Sequence, residues 1–89
     1  MRAIVTVIGK DRVGIIAEVC ALLARHDVNI LDISQTILQD YFTMIMLVDA
    51  SAAAIPFKDL SETLRTLGGE RALDIRIQRE EIFDAMYKI

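Results

Sequence analysis

Few residues in this chain could do covalent chemistry, and their settings narrow the choice further. There is one histidine, one cysteine and no tryptophan in 89 residues. No serine sits in a nucleophile-elbow setting, and no His, Cys or carboxylate pair stands at metal-ligand spacing. Asp11, Asp32 and Asp49 lie far apart in sequence and would need the fold to gather them. Cys20 falls inside an apolar helical stripe, where a thiol packs as a small hydrophobe. His26 stands near the end of the same helix, where the dipole favours a surface imidazole. With no nucleophile and base in view, the sequence predicts no enzyme, no metal and no cofactor.

Binding is better served. The stretch GKDRVGII, residues 9–16, joins an apolar run to a helical pattern. A helix start offers unpaired N–H groups and the positive end of the dipole. Gly14 has no side chain, so a ligand can approach the backbone there. Asn29 opens the next strand, and its amide both donates and accepts. A small zwitterion would suit that combination. The same residues also suit a plain turn, with Asp11 capping the helix, Gly14 packing on the sheet and Asn29 satisfying a bend.

Six elements must position these groups. Ala3 to Ile8 is β-branched and nearly continuous, which reads as a buried central strand. From Val13 the period changes, with Ile16, Val19, Cys20 and Leu23 at i, i+3, i+4 and i+7, widened by Ile15 and Leu22. Val28 to Leu38 reads as a strand with Leu31, Ile33 and Ile37 on one face. Residues 39–41 read as a tight hairpin. Phe42, Met44, Met46 and Val48 then alternate toward the core. Pro56 opens a second helix with Phe57, Leu60, Leu64 and Leu67 on its stripe, and Gly68-Gly69 is expected to stop it. Leu73, Ile75 and Ile77 alternate with Asp74, Arg76 and Gln78, a strand with one open face.

The order β-α-β-β-α-β predicts an α+β, ferredoxin-like sandwich, a four-stranded antiparallel sheet with two helices on one face. Residues 1–79 form that domain and 80–89 a C-terminal amphipathic tail. Ile82, Phe83, Met86 and Ile89 stand at helical spacing there, so a short helix is expected, docked on its own sheet face or on a second subunit.

Composition bounds the partners. The formal net charge is -3, and acidic residues interleave the arginines at 71, 76 and 79, which disfavours nucleic acid. The apolar stretches are interrupted by charge, so no membrane span is expected. A lone cysteine excludes an intrachain disulfide, and a reducing cytoplasm is the default compartment. At 54% hydrophobic residues the chain is apolar for its size, which points to cover by a partner chain.

VTVIGKDRVGIIAEVCALLARHDVNILDIS, residues 5–34, resembles the first half of an ACT domain: a strand, an Asp-x-x-Gly-Ile-Ile turn into a helix, and Asn-Ile opening the next strand. The resemblance covers 2–79. This version is similar to the ACT domains of the glycine cleavage system repressor and of formyltetrahydrofolate deformylase. The ending IRIQREEIFDAMYKI looks like that of small stand-alone ACT-domain proteins of bacteria and archaea. The resemblance implies a regulatory, allosteric module that binds an amino acid. It implies a homodimer, often built by aligning sheets edge to edge, with the ligand near the interface. Carried over by position, Asp11, Arg12, Val13, Gly14 and Ile15 form the binding turn, and Asn29 and Ile30 the second wall, with a neighbouring subunit as one source. Many members have Pro where this chain has Val13. Output would pass to a protein partner or through self-association. An interaction module without a small ligand is the alternative.

Overall fold

The computed structural model describes residues 1–10 and 14–87, with backbone alone at Leu38, Met86 and Tyr87. Its elements are β1 (Arg2–Lys10), α1 (Ile15–Arg25), β2 (Asn29–Leu38), β3 (Tyr41–Asp49), α2 (Phe57–Arg71), β4 (Asp74–Arg79) and α3 (Glu80–Tyr87). The four strands form one antiparallel sheet in the order β2-β3-β1-β4. The ferredoxin-like sandwich expected from the pattern is the fold observed, with a third, short C-terminal helix.

Alternation explains the core. Ala3, Val5 and Val7 of β1 face Val48, Met46 and Met44 of β3, and all six are fully buried. Ile75 and Ile77 continue that face on β4. Ile15, Val19, Leu22 and Leu23 of α1 and Leu60 and Leu64 of α2 close over it in one cluster. The α1 stripe is rotated from the expected one: Ile16 and Cys20 lie at its half-buried flank. Glu18 and Arg71 tie the two helices together at 2.7 Å. Donating to Glu18 raises the pKa of the Arg71 guanidinium.

Three local expectations are corrected. β1 is central but buried on one face only, because Ile8 is 44% exposed on the other. In β2 the pairing skips from Ile30 to Asp32, a bulge at Leu31. That extra residue shifts the parity, so Ile30, Ile33 and Ile37 share the helix side of the sheet, opposite Val48, Met46 and Phe42. Finally, α2 runs through Gly68-Gly69 to Arg71. It ends at Ala72 in the left-handed region, φ 57°, where Leu73 N–H donates to the Gly68 carbonyl at 2.8 Å. Gly68 serves close packing, since a Cβ there would lie 2.7 Å from the Leu73 carbonyl oxygen.

The opposite sheet face is open over much of its extent among the described residues. Ile45 is 42% and Tyr41 57% exposed there. α3 touches β1 and β4, with Glu80 paired to Arg2 at 3.1 Å, and leaves Ile82 exposed.

Candidate ligand-binding site

Of the expected binding turn, Asp11, Arg12 and Val13 lie outside the described residues, as does any role of Asp11 as the helix cap. Gly14 itself occupies the cap position of α1, at φ 87°. That left-handed backbone suits glycine. Gly14 brings no side chain to the N–H groups of the first turn, and its carbonyl accepts from Glu18 N–H at 2.9 Å. Ile15, next in line, is buried in the core.

A groove of about 580 Å³ begins at Gly14. One wall is the start of α1, with Ile15, Ile16, Ala17 and Cys20. The other is the last part of β2 and the start of β3, with Gln35, Ile37 and Phe42. Ile37 stands on the edge strand β2 and stays 59% exposed. The lining is therefore apolar, with the Gln35 amide and the Gly14 backbone as its polar groups. That composition is the usual one for a small-molecule site. A second cleft, about 520 Å³, lies between α1 and α2. Arg25, Asp59, Glu62 and Glu70 line it together with Leu22 and Leu67, so charge dominates its rim.

Asn29 and Ile30 do not join the groove within one chain. α1 carries the chain back along the sheet, so β2 starts at the end opposite Gly14. Eight residues of strand separate Asn29 from Ile37, about 26 Å. Asn29 pairs with Asp49, and Ile30 packs against the core beside Val48. Grouping Asn29 with the turn requires the second strand to begin beside Gly14, and the length of α1 places that start at the Arg2 end of the sheet instead. That grouping also missed Gln35, Ile37 and Phe42.

Among the described residues no group of three His, Cys, Asp or Glu could hold a metal ion, and no helix is long and apolar enough to cross a membrane.

A family model for the ACT domain matches residues 2–78. The chain belongs to the ACT domain family. It is 52% identical over 89 residues to a UPF0237 protein of Clostridium acetobutylicum, covering both chains fully. Among solved structures, an ACT domain protein from Streptococcus pneumoniae matches with a TM-score of 0.82 at 42% identity, covering 98% of each chain. A glycine cleavage system transcriptional repressor (TM-score 0.71, 28% identity) is matched over 86% of this ACT chain and 44% of its own. A formyltetrahydrofolate deformylase from Pseudomonas syringae (0.75, 30%) is matched over 88% and 27%. The two resemblances drawn from the sequence are thus matched in structure. ACT domains are typically regulatory ligand-binding modules, and this chain shares their frame over nearly all of its length.

Proposed function

We propose that this ACT domain is a non-enzymatic, cytoplasmic sensor that binds one amino acid per chain in the Gly14 groove, acts as a homodimer and signals to a partner protein. The observation that carries the reading is the groove itself. It is apolar along α1 and β2, open to solvent, and begins at a helix start whose cap residue has no side chain. An amino acid would lay an apolar side chain against Ile16, Cys20 and Ile37. Its carboxylate would turn toward the Gly14 end, where the dipole is positive, and its ammonium toward the Gln35 amide. In this arrangement Gly14 and Ile15 contribute directly. Asp11, Arg12 and Val13 complete the turn by position. Asn29 and Ile30 join only if a second copy supplies them. The sandwich 1–79 is the binding domain and the tail 80–89 an appendage to it.

The test is a thermal-shift panel of the twenty amino acids, with Ala17→Phe in parallel. Ala17 is exposed, so Phe fills the groove and leaves the core alone. A ligand at 100 times its Kd contributes about 2.7 kcal/mol, which moves the midpoint on the order of 10 °C for a chain this size. A shift with one compound that Ala17→Phe abolishes supports the reading. Silence across the panel, or a shift that Ala17→Phe leaves intact, removes it.

The alternative, an interaction module with no small ligand, draws on the exposed Ile82 of α3 and on the uncovered sheet face. Silence in the panel together with partner capture that fails when 80–89 is deleted would favour it.

A further inference from the structure

We infer that the free edge of β4 takes an extended, acidic segment of a partner protein as an added strand. This rests on the reading above in that it supplies the surface for the partner protein, and it does not require the Gly14 groove to be filled.

The sheet order leaves two edges, β2 and β4. An edge strand turns about half of its N–H and C=O groups outward, and an added strand can satisfy them. β2 is a poor template. The bulge at Leu31 breaks its register, and Ile33 N–H already donates to the Asp32 carboxylate at 2.9 Å. β4 pairs with β1 without a break from Asp74 to Arg79. Among the described residues, no turn or loop backbone bonds to residues 74–77. A groove of about 430 Å³ runs beside that edge, between residues 74–78 of β4 and Ser61 and Arg65 of α2.

Charge selects the segment. Lys58, Ser61 and Arg65 stand at i, i+3 and i+7 on one flank of α2, the flank that borders the groove. Lys58 and Arg65 are exposed, and neither has an ion-pair partner among the described residues. Arg79 adds a third cation at the end of the strand, 5.6 Å from the centre of the Phe57 ring of α2. The carboxylate in the groove lining, Asp74, is held by Arg76 at 3.1 Å, so those two charges offset each other. The edge is therefore positive on a chain whose net charge is -3. A second copy would bring the same cations to the contact, like against like. An acidic segment meets its opposite there.

Strand geometry sets the pattern. Successive side chains of an added strand point to opposite sides of the sheet. One row looks toward the Lys58 and Arg65 flank of α2, and the other lies beside the polar row Asp74, Arg76 and Gln78 on the open face. A segment that fits carries a carboxylate at every second position with β-branched polar residues between. β4 has six residues, so about 20 Å of extended partner chain fills the edge.

Amide hydrogen exchange of the full chain, read by NMR, tests the inference with two end-blocked synthetic hexapeptides, one alternating Glu and Thr and the other Lys and Thr. The glutamate peptide should slow exchange at alternate amides of β4 and leave those of β2 unchanged, and the lysine peptide should not. Arg65→Glu, at an exposed helix position, should raise the Kd of the glutamate peptide roughly fivefold and bring in the lysine peptide. A proline at the centre of the glutamate peptide removes an N–H and should abolish binding. No protection of β4 by the glutamate peptide, equal binding of both peptides to the wild-type chain, or undiminished binding of the proline peptide overturns the inference. Protection of the same amides that grows with protein concentration in the absence of peptide gives the edge to a second copy and overturns it too. Ala17→Phe should leave peptide binding unchanged, so the groove and the edge fail separately. A loss of peptide binding in Ala17→Phe would place the peptide in the groove and not on β4.

Discussion

Gly68 and Gly69 are adjacent in α2, yet replacing each by alanine should move stability in opposite directions. Both are helical, and a helical glycine is worse than alanine by about 1 kcal/mol. Propensity alone therefore predicts two stabilised variants. At Gly69 a Cβ would meet nothing within 4 Å, so the gain is kept. Gly69→Ala should be more stable by about 0.5–1 kcal/mol. At Gly68 a Cβ would lie 2.7 Å from the Leu73 carbonyl oxygen and 3.3 Å from the Ile75 backbone nitrogen. These are backbone atoms of the turn and of β4, so no rotamer change relieves the contact. α2 would have to lift off the sheet, and overpacking of that kind costs about 1–3 kcal/mol. The net effect of Gly68→Ala is a loss of about 0.5–2 kcal/mol after the propensity gain is subtracted. At 89 residues the unfolding entropy makes 1 kcal/mol worth about 5 °C in Tm. Calorimetry of the two variants beside wild type should show one Tm a few degrees above and one several degrees below. If both rise together, the close approach of α2 to Leu73 is not a real constraint and the account of Gly68 fails.

Three further outcomes follow from the fold. Ala72 holds φ 57° at the end of α2, so Ala72→Gly should remove left-handed strain of about 1 kcal/mol and raise Tm; no rise in a calorimetric scan would place the helix end elsewhere. Leu64 is fully buried between α2 and the sheet, and Leu64→Ala should cost about 2–5 kcal/mol in urea unfolding. Asp49 has its pKa lowered to about 2, mainly because the Ser51 hydroxyl and then the Ser51 N–H donate to it, with the Met1 ammonium adding to the effect. Its unfolded value is about 3.9, so the unfolded chain binds the proton first. The stabilisation is complete above pH 4 and is lost as pH falls toward 2. Urea midpoints measured from pH 5 to 2 should fall less steeply in Asp49→Asn than in wild type, and equal slopes would refute the assignment.

The fold was legible because its periodicities are clean. Phe42, Met44, Met46 and Val48 alternate without a break, and all four are buried. Ile75 and Ile77 do the same on β4. Where a single residue departs from the period, the pattern misleads. Leu31 looks like a core residue by parity with Ile33 and Ile37, but the strand bulges there. Gly68-Gly69 looks like a stop because the glycine signal for a helix end and that for close packing are identical in sequence. The continuous run Ala3–Ile8 looks doubly buried, although one of its faces is open in the single chain. The site was legible only at its glycine. Gly14 stands at the cap of α1, but the groove wall it shares with Ile37 and Phe42 depends on how α1 packs against the sheet, which no local pattern encodes.

That geometry bears on how a signal would leave the groove. Groove and sheet face lie on opposite sides of one layer, and β3 is the strand they share. Phe42 lines the groove, while Tyr41 and Thr43 on either side of it point to the open face. In the homodimer proposed above, a ligand that moves Phe42 would tilt the pleat of β3 that carries Tyr41, and a second copy in contact with that face would register the change. Linkage requires the effect to be reciprocal: if the ligand tightens the dimer by some factor, the dimer tightens the ligand by the same factor. Phe42→Leu keeps the position apolar and removes the ring on the groove side of β3. It should lower the ratio of dimer Kd values measured with and without the ligand while leaving the ligand-free dimer Kd near that of wild type. A ratio unchanged in Phe42→Leu would mean that β3 does not carry the coupling. The remaining route would be the start of α1, where Gly14 and Ile15 meet the groove directly.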